Sequence, residues 1–502
     1  MKSFPSLLRS NAITQNPSFV SSPIVVWNDY IVASNNGETQ AASTLVSQLP
    51  LVPYVHSISL SSLRLVSSLL LSQKLVLEAF FFVLFILSVL SSTWYIGHAQ
   101  GQQFINVVDD FGAVGDGKTD DSQAFLRAWN KLCSETSGNS MPTMVVPAKK
   151  TFLVKQVEFA GPCKSSSVQI QVANTQWTDC KSECWFCFSN VESLNLTGTG
   201  TFEGNGPAWW KIPGVTINNC AKPAVLRFTG CNNLQVTGLT SHNSPLNHIA
   251  ISSCKGVSLS NINLIAPADS PNTDGIDLSN SNQVTISDSF IGTGDDCVAI
   301  NGGNSHVNIT RLICGPGHGI SVGSLGKDGS MDTVEEVHIR NCTFNGTQNG
   351  ARIKTWAGGQ GFARFISYED IILIGSQHPI LIDQHYCPHQ NCPPEKGTAV
   401  SVSDITFNGF RGTSADIIAI TLNCSSVVPC KNIIMNEVNI TPSIPTSKVV
   451  AICNNARGTA TSTTPAVPCL GSQGIRTVVE DKQTDGDRII RSVTEGELKN
   501  EL

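Results

Sequence analysis

With 502 residues the chain can hold one large domain or two or three ordinary ones, and it can bury a sizeable core. Charged residues make up only 14%, the formal net charge is -6, and no basic run is interleaved with aromatics, so the usual footprint of a nucleic-acid binder is missing. Frequent Gly, Ser, Asn, Thr, Val and Ile favour many short strands over long helices.

Residues 1–74 are rich in Ser, Leu and Val, nearly uncharged and without a clear period. Lys74 then precedes an apolar run over 75–90, interrupted by Glu78, and Gly97-His98-Ala99 supplies the small residues a signal peptidase favours. The segment 75–99 therefore reads as a secretory signal. The run is short for a membrane span of about 20 residues, which makes a signal anchor the secondary alternative. Secretory signals normally start at the initiator Met, so the extension 1–74 is unusual. The expectation is a mature chain without residues 1–99 and without stable membrane association. Sequons led by Asn195, Asn308, Asn341, Asn345, Asn423 and Asn439 agree with a secretory route.

So do the 17 cysteines, all between Cys133 and Cys469. The lone C-x-x-C, Cys184 to Cys187, has no second Cys or His pair at zinc-finger spacing. Disulfides in an oxidising compartment are expected rather than zinc. The odd count leaves one thiol free or paired between chains.

Phe104-Ile105-Asn106-Val107-Val108 alternates like a strand, and the Gly-rich stretch from Phe111 to Gly117 predicts tight turns. Asp120 or Asp121 is a good N-cap, and Phe125, Ala128, Trp129 and Leu132 follow at helical spacing. This amphipathic helix is placed to cover the end of a solenoid. The Gly-rich stretch lacks the Lys-Ser/Thr of a phosphate-binding loop.

From Ala224 on, short alternating runs recur. Leu234-Gln235-Val236, Val257-Ser258-Leu259, Val284-Thr285-Ile286, Val307-Asn308-Ile309 and Val337-His338-Ile339 start roughly 23 to 30 positions apart. A further apolar position trails each run: Leu239, Ile262, Phe290, Leu312 and Phe344. Second strands follow at Ile249, Ile276, Val298 and Ile320. One such coil cannot bury its apolar face alone, so neighbours must stack. The expected fold is all-β, a right-handed parallel β-helix with an N-terminal capping helix. An antiparallel sandwich fits less well, because hairpin dipeptides rarely fall between the runs.

In this register Asp274, Asp295, Asp296 and His318 lie at the starts of equivalent strands, and coils stack about 4.8 Å apart. Arg352 and Lys354, two apart, share one strand face. Gly294 permits a bend that turns both Asp295 and Asp296 toward one cleft. Clustered carboxylates repel, so one is expected to keep a proton near neutral pH or below. A protonated acid beside ionised carboxylates suits glycosidic cleavage. Two cations beside them would balance charge as well as bind an anionic substrate, which suits a sugar polymer that bears carboxylates. Each motif alone reads more often as a calcium site, loop acids or a solvated face; their joint spacing points to one site.

The motifs Asn272-Thr273-Asp274, Gly294-Asp295-Asp296-Cys297, Gly317-His318-Gly319 and Arg352-Ile353-Lys354, in this order, resemble the signature of the plant polygalacturonases of glycoside hydrolase family 28. The cap from Phe111 to Asp121 matches as well, and the likeness covers 104–469 as one catalytic domain. The resemblance implies Asp295 as general acid, Asp274 and Asp296 activating water, and His318 supporting the acid's protonation and the geometry. It implies Arg352 and Lys354 on the galacturonate carboxylate, Tyr386 as a substrate contact, and Asn272 shaping the substrate site. It further implies inversion of configuration, pectin as partner, and neither metal nor cofactor. Cys297 with Cys314, and Cys387 with Cys392, look like the family's disulfides, with Cys424–Cys430 and Cys453–Cys469 as further pairs.

The tail 470–502 is polar and reads as a flexible end. Its last four residues, 499–502, resemble an ER-retrieval signal with one change. The expected protein is a secreted, monomeric cell-wall polygalacturonase. The alternatives are a pectate lyase, which needs calcium and a basic catalytic residue, and a pectin-binding wall protein without turnover.

Overall fold

The computed structural model describes residues 104–136, 141–171, 175–176, 183–210, 222–388, 397–471, 477–478 and 491–492. The expected signal 75–99, the extension 1–74, Cys392 and the terminus 499–502 lie outside the described residues.

Alternation along the sequence becomes stacking in space. Val257 pairs with Val284, Val284 with Val307 and Val307 with Val337, all in parallel. Gln235 faces Ser258 in the same ladder, so the run at Leu234 joins one coil earlier. Ile249, Ile276, Val298 and Ile320 form a second in-register column. That column belongs to a wall of 11 parallel strands, from Val157–Ala160 to Val450–Asn454. Two further parallel ladders, which meet at Cys430–Pro442, close the coil. Parallel strands joined by crossovers turn right-handed, and the result is a right-handed parallel β-helix. Its inward Val, Ile and Leu residues are almost wholly buried against the coils above and below.

One grouping from the sequence slips. Asn263 pairs with Phe290, and Phe290 with Ile313, on the outward face. The residue stacked on Ile262 is therefore Ser289. Ser289 is buried, donates its hydroxyl to Ser287 O and accepts Ile262 N at 3.2 Å. Phe344 stacks on Cys314, two positions from the expected column. A small polar residue with satisfied hydrogen bonds fits the corner, so hydrophobicity alone misplaces the register.

Another corner column is polar in the same way. Cys231 N donates to Cys254 Sγ at 3.2 Å, Cys254 N to Ser281 Oγ at 3.1 Å, and Ser281 N to Asn304 Oδ1 at 3.0 Å. Each side chain satisfies an amide of the coil before it, which lets the chain turn without exposing backbone. Cys231 and Cys254 are thus buried free thiols, and so is Cys342. The odd count required one such thiol; the described residues hold three.

The pairs Cys297–Cys314, Cys424–Cys430 and Cys453–Cys469 form as expected. Cys133–Cys163 and Cys184–Cys187 join them, so the C-x-x-C closes on itself. Cys387 is also disulfide-bonded.

The helix Ser122–Ser134 buries Phe125, Ala128, Trp129 and Leu132. Trp129 lies 5.0 Å from Phe159 and 6.3 Å from Phe188 between ring centres, and its Nε1 donates to Ala160 O at 3.1 Å. The helix thereby covers the apolar residues of the first coils. Asp121 stands at the N-cap without capping its own helix. Its carboxylate instead accepts Val114 N at 2.7 Å and Gly115 N at 3.0 Å, tying the Gly-rich loop to the helix.

Truncating Trp129 removes the ring that seals this end. Trp129→Ala is expected to cost about 3–5 kcal/mol in denaturant unfolding. Amide exchange should speed up first in Val157–Ala160, the strand the ring covers. Uniform acceleration over all coils would show that the helix is not a local cap.

Candidate active site

On the 11-stranded wall, outward residues alternate with the core. Register fixes one outward column through Ala250, Asp277, Ala299, Ser321, Arg352 and Leu381. Asp274, Asp295, Asp296 and His318 stand in the turns that lead into these strands. Gly294 is required for space: a Cβ there would lie 2.0 Å from Ser270 O. Its N–H donates to Thr273 Oγ1 at 2.9 Å, which fixes the turn that carries both acids.

Asp296 is fully buried at the centre. Its Oδ1 accepts the Ser321 hydroxyl at 2.7 Å and pairs with Arg352 Nη2; its Oδ2 accepts Lys354 Nζ at 2.8 Å. Arg352 Nε donates to Ser321 Oγ at 2.7 Å, so the serine links cation to carboxylate. Arg352 and Lys354 are only 7% and 8% exposed. Both cations pair with Asp296, which is the charge balance expected of them beside the carboxylate cluster, because a buried charge needs partners more than an exposed one does.

Asp295 is more accessible. It accepts Asn272 Nδ2 at 3.4 Å and its own neighbour's amide, Asp296 N, at 2.9 Å; His318 Nδ1 lies 2.8 Å from its Oδ1. Burial pushes the Asp295 carboxyl up. The His318 hydrogen bond and charge, with Lys354, outweigh burial and hold it below the usual carboxylate range. Asn272, expected to shape the substrate site, lies against Asp295.

Asp274 behaves differently. Burial first, then the charges of Asp277, Asp295 and Asp296, raise it well above the ordinary range, with Lys354 opposing. Asp277 is pushed up to about 6, chiefly by burial, against a hydrogen bond from Asn247 Nδ2. Burial and like charge thus raise Asp274 and Asp277, while Asp295 is lowered.

Tyr386 is half-buried, with Lys354 Nζ 5.3 Å from its ring centre and Trp356 edge-on at 5.6 Å. All eight residues singled out from sequence thus gather at one site. Asp277 and Ser321 were missed. Both sit at the outward position of strands whose apolar residues were counted, and the coil register that places Arg352 also places them. Ligand atoms of Asp295, Asp296 and His318 lie within 4.8 Å of one another. Both Asp296 oxygens face cations, however, which opposes a metal ion there.

The family described as Glycosyl hydrolases family 28 matches residues 133–463. A "Probable polygalacturonase" of Arabidopsis thaliana is 45% identical over 374 residues, covering 72% of this chain and 80% of its own. A polygalacturonase of Malus domestica is 43% identical over 351 residues, covering 66% of this chain and 74% of its own. Among solved structures, an endo-xylogalacturonan hydrolase from Aspergillus tubingensis superposes with a TM-score of 0.61 at 25% identity, over 70% of this chain and 96% of that one.

The raised Asp277 makes stability depend on pH. Between the ordinary value of 3.8 and about 6 the folded chain binds a proton that the unfolded chain has released. Stability is then greatest at the acid end and falls as pH rises through about 6. Asp277→Asn removes this dependence, so the melting-temperature gap between about pH 4.5 and about pH 7.5 should narrow by roughly 2–4 °C. An unchanged gap in differential scanning calorimetry would assign the dependence to other groups.

Proposed function

This chain belongs to glycosyl hydrolases family 28, and we infer that it is a polygalacturonase, hydrolysing the α-1,4 bonds between galacturonate residues of pectin. The observation that carries this reading is the carboxylate cluster on the wall of the β-helix, where Asp274, Asp295 and Asp296 converge beside His318, Arg352 and Lys354.

Asp295 donates a proton to the leaving glycosidic oxygen. Asp274 and Asp296 hold and deprotonate a water on the opposite face of the ring, and the anomeric centre inverts. Asp296 suits the positioning part because Ser321, Arg352 and Lys354 fix both its oxygens. Asp295 suits the acid's part because it is the more accessible of the pair.

The acid must first be charged with a proton. Burial and neighbouring carboxylates raise Asp274, and His318 holds Asp295 low. A substrate carboxylate adds negative charge beside Asp295 and displaces water, and both effects raise Asp295. The cluster titrates as a unit, so one proton moves to the acid as the polyanion binds. Binding thus arms the catalyst.

The disulfides agree with work in the cell wall, outside the cell. The protein acts there as a secreted monomer free of the membrane. Among the described residues no helix is long and apolar enough to cross a membrane.

Asp295→Asn should lower turnover by about 10²–10⁴-fold, with oligogalacturonate binding retained by calorimetry. Proton NMR of the first products should show the β anomer at the new reducing end. Initial α anomer would falsify inversion, and ordinary turnover by Asp295→Asn would remove Asp295 as the general acid.

A further inference from the structure

One ladder outside the catalytic wall leaves apolar side chains in water. It runs through Phe290–Gly292, Ile313–Cys314, Thr343–Asn345 and Ile372–Ser376. Phe290 pairs with Ile313, Ile313 with Thr343 and Thr343 with Ile372, so these four form one outward column. In the outward column two residues on, Ile265 pairs with Gly292 and Asn345 with Ile374. The Phe290 ring leans over Gly292, where a Cβ would lie 3.0 Å from its Cζ, and fills the gap toward Ile265. Ile265, Ile313 and Ile374 are 39%, 48% and 50% exposed. Single exposed isoleucines need no explanation, but a stripe that continues from coil to coil does.

The stripe is interrupted at the coil that supplies Thr343 and Asn345 in place of apolar residues. That coil carries two sequons, Asn341-Cys342-Thr343 and Asn345-Gly346-Thr347. Asn341 stands at the preceding corner in left-handed backbone, with φ 54°. Asn345 stands on the face itself, exposed, one strand spacing of about 4.8 Å from Ile374. Among the described residues its side-chain amide has no hydrogen-bond partner. Other sequons are less well placed. Asn423 Nδ2 donates to Asp383 Oδ1 at 2.9 Å, and Thr197 of the Asn195 sequon accepts Gln169 Nε2 at 3.0 Å. Asn439 shares the column of Ile372, but Arg411 stands between them.

We propose that Asn345 carries an N-linked glycan whose inner sugars lie over this stripe and keep it from joining a second copy of the chain. Sugar rings offer a C–H face to the isoleucines and hydroxyls to water, so a glycan rooted beside Ile374 covers the apolar face without leaving a new one. The donor is a lipid-linked oligosaccharyl pyrophosphate. The Asn345 amide nitrogen attacks the anomeric carbon, the N–C bond forms, and the C–O bond to the pyrophosphate breaks. The amide proton leaves with the lipid pyrophosphate. Thr347 is buried in the folded chain, with its Oγ1 2.9 Å from Ser376 Oγ, so the transfer precedes stacking of this coil. The proposal needs passage through the secretory pathway and does not depend on the hydrolase reading.

The test expresses the full chain in a eukaryotic secretory host. Glycopeptide mass spectrometry, with glycoamidase release in heavy-oxygen water, should mark Asn345 as the modified residue. Asn345→Gln should remove one glycan, raise binding of an apolar dye several-fold, and shift the chain from monomer toward dimer in sedimentation. Adding Ile313→Thr and Ile374→Thr to that variant should return both readouts to the parent values. If Asn345→Gln is not secreted, glycoamidase treatment of the folded parent and of the Ile313→Thr, Ile374→Thr chain gives the same comparison. An unmodified Asn345, or a glycan on Asn341 in its place, overturns the proposal. So does a deglycosylated chain that stays monomeric with unaltered dye binding, and so does a dimer built on this face with the glycan present.

Discussion

Parallel stacking in strict register is the constraint on which everything else depends. A coil of this chain has too little apolar surface to fold alone, so each must lay its Val, Ile and Leu residues on those of the next. Once Val284 pairs with Val257 and Val307, the outward positions have no freedom left. Asp277, Ser321 and Arg352 are in line because Ile276, Val298 and Ile320 are. The core thus places the side chains of the site, and a slip by one residue would send them to the opposite face.

Such rigidity allows a charge arrangement that a looser scaffold would not keep. Asp296 is buried with two cations and a serine around it, an arrangement whose desolvation cost is met only by close geometry. The stacked strands supply that geometry. With Asp296 balanced, burial and like charge raise Asp274 and Asp277, while the His318 hydrogen bond lowers Asp295.

The corners contribute in a quieter way. The ladder Cys231, Cys254, Ser281 and Asn304 meets backbone amides from within, so the turns need no outside partner. Outward loops are then free to differ in length and content. The loop with Lys327 is one of them, pinned by Asp332 beside the aromatic pair Trp356 and Tyr386.

The sequence by itself determined the repeating coil, the capping helix, three described disulfides and the gathering of Asp274, Asp295, Asp296, His318, Arg352, Lys354, Tyr386 and Asn272. Period and motif order carry that information locally, since stacking needs only a repeated apolar pattern. Tertiary structure decided who pairs with whom. It put Ser289 where Phe290 was expected, gave Asp121 to the Gly-rich loop, and added Asp277 and Ser321 to the site. It also paired Arg352 and Lys354 with Asp296. Those outcomes depend on burial and on the field of several charges at once. Both are properties of neighbours brought together by folding, and a linear pattern of residues does not contain them.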